Sequence, residues 1–137
     1  MAVPIRHPLR LLAALLALAI GHSLAAADDR SEFRAAMEQA SVQYHIALRT
    51  LEVDGREQTA TEVRRFRQAW QEVIERFGKN PPFATDDSYA ATLMEIDVRL
   101  LGALLVIDLG SRDAAREALK PVGATLEQLW NRAGPQP

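Results

Sequence analysis

The side chains with the most chemical potential in this chain are one histidine and one oddly placed carboxylate. His45 adjoins Tyr44, and Asp97 stands four residues after Leu93 and four before Leu101, at the edge of an otherwise apolar stripe. A carboxylate in such a place needs a partner, because burying it unpaired is costly. With a helical rise of about 1.5 Å per residue, His45 lies about 21 Å above the start of its helical segment and Asp97 about 15 Å above the start of its own. The two are therefore within reach of one layer, and Asp97 has two candidate partners, His45 or an arginine. Joined by Met94, an imidazole and a carboxylate would offer the soft and hard ligands that suit copper or iron. Met37 cannot complete that set. It is eight residues from His45, about 12 Å along the same helix. Met37 and Met94 both fall about 10 Å up their segments, and both are expected in one core layer as adaptable filler.

Two further features break a local rule. Arg64, Arg65 and Arg67 form a basic patch interleaved with the apolar Phe66. They sit near a helix N-terminus, where positive charge is mildly unfavourable, and the patch is expected to face solvent or an acidic partner. Pro121, in the middle of a helical segment, leaves the Glu117 carbonyl without its intrahelical donor, so a kink is expected there.

Other chemistries lack their residues. The chain of 137 residues has no Cys, which excludes a disulfide framework, a thiolate metal site, covalent haem attachment and a Cys nucleophile. There is no Gly-x-Ser-x-Gly turn to support nucleophilic hydrolysis. The Glu-x-x-His pairs of di-iron bundles are also missing. The net charge is −2, and it becomes more negative once Arg6 and Arg10 are removed, which argues against nucleic acid.

That removal is expected because residues 1–27 have the layout of a secretory signal. Arg6, His7 and Arg10 form a positive start, Leu11 to Ile20 is an apolar run, and Ala25, Ala26 and Ala27 supply a small-residue cleavage site. The run is shorter than the roughly twenty residues that span a bilayer. Residues 28–137 are then expected as a single domain exported to the periplasm or the cell exterior, with no stable membrane span.

Four amphipathic segments must position the residues named above. The first runs from about Ser31 to Glu52, with Phe33, Met37, Ala40, Tyr44, Ala47, Leu48 and Leu51 at three- and four-residue intervals. The second is expected to open on a Thr59 to Glu62 capping box, continue through Val63, Phe66, Trp70, Val73, Ile74 and Phe77, and stop at Gly78. Pro81 and Pro82 make a stiff loop, in which Phe83 is the place to look for the exposed apolar patch that a third reading, a stress chaperone, predicts. The third begins at Asp86 and Asp87, carries Tyr89, Leu93, Ile96, Leu100, Leu104 and Ile107, and ends at Gly110. The fourth is N-capped by Ser111 and runs through Ala115, Ala118, Leu119, Val122, Leu126, Leu129 and Trp130. Four such helices hide their stripes most simply in an all-α, antiparallel up-down-up-down four-helix bundle.

In shape this bundle is similar to the haem-carrying four-helix cytochromes, but their motifs are not matched. The c-type carries Cys-x-x-Cys-His near its last helix. The b-type pairs a Met of helix one with a His of helix four, and here Met37 has no histidine opposite it. Haem is not expected, and no cofactor is required by the pattern. The reading that results is a non-enzymatic binding or accessory protein that contacts another exported protein. Its competitor is a small-ligand or copper or iron carrier built on His45 and Asp97.

Overall fold

The computed structural model describes the backbone of residues 9–134 and side chains from residue 28 to residue 134. It is all-helical, with α1 (Leu9–Val53), α2 (Arg56–Phe77), α3 (Ser88–Asp108) and α4 (Arg112–Arg132) and no strand among the described residues. α1 is a single helix that passes through the expected leader without a break at Gly21 or Ser23. The leader's apolar run and its cleavage point after Ala27 lie outside the residues whose side chains are described.

The arrangement is consistent with a four-helix bundle. Each helix packs on the next, and α1 also packs on α4, which closes a ring in which α1 and α3 lie diagonally, without close backbone approach among the described residues. The periodic residues of all four segments meet in its interior. Phe33, Met37, Val63, Phe66, Trp70, Leu93, Ile96, Leu100, Leu119, Val122 and Leu129 are fully buried. At one end Phe33 meets Phe77 and Phe83 edge-on, and Phe83 in turn meets Tyr89. Phe83 is thus partly buried over the end of the core. Packing its ring against those of Phe33 and Tyr89 removes more apolar surface from water than leaving it in the loop would.

The helix ends are fixed by groups that differ in part from those expected. α2 starts at Arg56, three residues before the proposed capping box, with Gly55 as its N-cap at φ −77° and ψ 167° and no side-chain cap. Thr59 and Glu62 are therefore buried inside the helix. The Thr59 hydroxyl donates to the Gly55 carbonyl at 3.0 Å or the Thr50 carbonyl at 3.2 Å, which ties the start of α2 to the end of α1. Ser111 does cap α4, accepting from the Ala114 N–H at 3.3 Å. Gly110 before it has φ +82°, a left-handed turn that a side chain rarely tolerates. Asp86 accepts from the Ser88 N–H at 3.0 Å at the start of α3.

Arginines clamp the connections. Arg112 donates to the Glu52 and Asp54 carbonyls at 3.3 and 3.1 Å, Arg56 to the Asp108 carbonyl at 3.3 Å, and Arg30 to the Pro82 carbonyl at 3.1 Å.

Candidate functional site

Asp97 is buried on the flank of α3 that faces α2, and its partner is Arg67. The guanidinium presents Nε to Oδ1 at 3.0 Å and donates from Nη2 to Oδ2 at 3.2 Å, a two-point contact across the seam. One turn along, the Trp70 indole N–H donates to the Leu93 carbonyl at 2.8 Å. Arg67 and Trp70 are three residues apart on α2, Leu93 and Asp97 four apart on α3, so each helix presents both members from one face. This polar layer joins two helices along their seam, with Asp97 buried and Arg67 partly exposed at its outer edge.

His45 does not belong to it. α1 and α3 are diagonal, and His45 is one residue past the core-facing Tyr44, a rotation of about 100° that carries it outward. It is exposed and tilted against the Tyr44 ring at 5.3 Å between centroids. Met94 is also placed differently from its expected role. Met37 is buried at 1% exposure, whereas Met94 is 48% exposed on the outside of α3, so the two share no core layer. Among the described residues no group of three or more His, Cys, Asp or Glu side chains is placed to hold a metal ion. The basic patch is likewise divided. Arg67 turns inward to Asp97, Arg65 pairs with Glu62 at 3.1 Å, and Arg64 stands exposed. Consecutive helical residues point about 100° apart, so three arginines spread over residues 64–67 cannot share one direction.

His45 instead lines a groove of about 650 Å³ between α1 and α4. Met37, Tyr44, Leu126 and Trp130 form its apolar wall, with Glu38 and Glu127 among its polar residues. Its floor is set by Gly123. A Cβ at that position would come within 2.8 Å of Tyr44 Cε1, so only glycine lets the ring lie against α4. The Tyr44 hydroxyl donates to the Lys120 carbonyl at 3.4 Å beside Pro121. Burial pushes the Tyr44 phenol above its ordinary range, and a hydrogen bond from the Gly123 backbone partly offsets this.

The second candidate surface was absent from the sequence-based expectation. α3 is apolar on its outer side as well as its inner one. Met94, Val98, Leu101, Leu105 and Leu109 are 48%, 62%, 42%, 60% and 83% exposed. Their 4-3-4-4 spacing makes one stripe opposite the core-facing residues. The nearest charges on one flank, Glu95 and Arg99, pair with each other at 2.8 Å.

No family model, curated protein or solved structure matches the chain. Among the described residues, no helix is long and apolar enough to cross a membrane.

Proposed function

We propose that this chain is a non-enzymatic, exported helical bundle that works through protein–protein contacts, and that the outer face of α3 is the surface it uses. The bundle is up-down-up-down and antiparallel, with α4 bent at Pro121, and it resides in the periplasm after removal of residues 1–27. The observation that carries this reading is the row of large apolar side chains left in solvent, four on α3 and a fifth, Leu109, at its C-cap. A monomer rarely keeps so continuous a patch, and the common reason for one is a partner. On one flank of the row Glu95 and Arg99 neutralise each other, as expected at the rim of a contact rather than of a catalytic cleft.

The test is site-specific photo-crosslinking in an exporting host. A photoreactive residue at Val98 or Leu105 is expected to give adducts with another polypeptide chain, while one at Gln68 or Glu75, exposed on α2, gives none. Equal labelling at all four positions, or none at any, overturns the reading.

A small-ligand carrier is the second reading, favoured by the α1–α4 groove with His45 in its lining. Cu(II), Cu(I), Fe(II) and Zn(II) titrations following Trp fluorescence and melting temperature test it, because a ligand specific to the native state must stabilise it. A response that survives His45→Ala removes His45 from the site.

A further inference from the structure

We infer that the partner on α3 is a second copy of this chain, packed antiparallel to the first, with Leu101 of each copy seated over Gly102 of the other. This rests on the proposed role of the α3 face and specifies its occupant.

The argument is the symmetry of the stripe. A two-fold axis midway between residues 101 and 102 sets Met94 against Leu109 of the other copy, Val98 against Leu105, and Leu101 against Gly102. Met94, Val98, Leu105 and Leu109 then each meet an apolar side chain, and Leu101 at the helix crossing meets the one position without a side chain. Such self-complementarity is what a two-fold interface demands, since one patch must fit itself. Gly102 has open space in this structure: a Cβ there would meet nothing within 4 Å. It is therefore not required for packing within the chain, and it costs the helix roughly 1 kcal/mol relative to alanine. A notch in the middle of an exposed apolar row gives that glycine a use, because small residues let two helices approach closely.

The areas agree. Five side chains at these exposures present on the order of 500 Å² per chain, so the pair removes on the order of 1,000 Å², near the lower bound for a specific interface. The self-paired Glu95 and Arg99 leave no uncompensated charge to bury on that flank.

The chain as recovered from an exporting host is examined by sedimentation equilibrium, where twice the monomer mass is expected. Gly102→Leu fills the notch without touching the chain's own core, so it should retain the helical circular dichroism while weakening association at least about tenfold. Leu101→Glu should do the same. Because the chain lacks cysteine, introduced thiols report the register. Leu101→Cys is expected to form a disulfide with its own copy. Met94→Cys alone, about 22 Å from its own copy, is not, whereas mixed Met94→Cys and Leu109→Cys chains are. A dimer that Gly102→Leu leaves intact, or Met94→Cys chains that cross-link to themselves, overturns the inference. A monomeric purified chain that still gives α3 adducts with a different protein overturns the self-pairing and leaves the proposed function standing; loss of the adducts as well removes both.

Discussion

The Arg67–Asp97 contact gives an asymmetric prediction. Its side chains are 28% and 12% exposed, so the two single substitutions strand different charges in different surroundings. Arg67→Met leaves a carboxylate with little access to water and no counter-ion, and the cost is about 3 kcal/mol, at the lower end for breaking a buried pair. Asp97→Leu leaves a guanidinium that can turn into solvent, and the cost falls to about 1–2 kcal/mol. With both changes no charge remains on the seam, and the double variant should lie within about 1 kcal/mol of the unsubstituted chain. The coupling between the two positions is therefore about 4 kcal/mol or more. Urea unfolding followed by circular dichroism measures all three variants. Asp97→Leu costing as much as Arg67→Met, or a double variant whose loss is the sum of the singles, would refute the reasoning. Either result would mean that the pair is solvated in effect, whatever its geometry.

Gly123→Ala should destabilise by about 1–2 kcal/mol despite the helix-propensity gain, because the new methyl collides with the Tyr44 ring; combined with Tyr44→Ala the same change becomes neutral or stabilising in thermal melts. Ser111→Ala should cost about 1 kcal/mol through loss of the α4 cap, and Ser111→Gly only a few tenths, measured by urea unfolding. Tyr89 donates to the Phe77 carbonyl at 3.0 Å, and burial pushes its phenol up to about 12, with Arg132 pulling weakly the other way. The native state thus favours the protonated ring. Its contribution is whole below the ordinary value of 10 and is lost as pH rises from there through about 12. Melting temperatures over that range should fall less steeply for Tyr89→Phe than for the unsubstituted chain.

The helices were legible because a core-facing stripe repeats every three or four residues, and the residues picked out on that basis from Phe33 to Leu129 are buried or partly buried. The start of α2 was not, since Gly55 has no side chain with which to announce a cap, and Thr59 has the same composition whether it caps or stitches. Asp97 was visibly out of place, but height along a helix cannot say which neighbour is diagonal. Only the order of the ring decides between His45 and Arg67. α3 concealed most. It has apolar residues on two opposite sides, and the height that Met94 shares with Met37 says nothing of which side it occupies. The clue was present in the second 4-3-4-4 row, offset from the first, which a single amphipathic stripe cannot contain.

The arginine clamps at the helix connections have a consequence for how the chain can vary over time. In each of them the acceptor is a main-chain carbonyl, at Glu52, Asp54, Pro82 or Asp108. Substitution at those four positions leaves the acceptor oxygen in place, so each clamp depends on the identity of one residue and not two. Drift is thereby free at the receiving ends and confined at Arg30, Arg56 and Arg112. For Arg112, which spans two carbonyls at once, lysine would be no replacement, because a single ammonium lacks the rigid fork that reaches both.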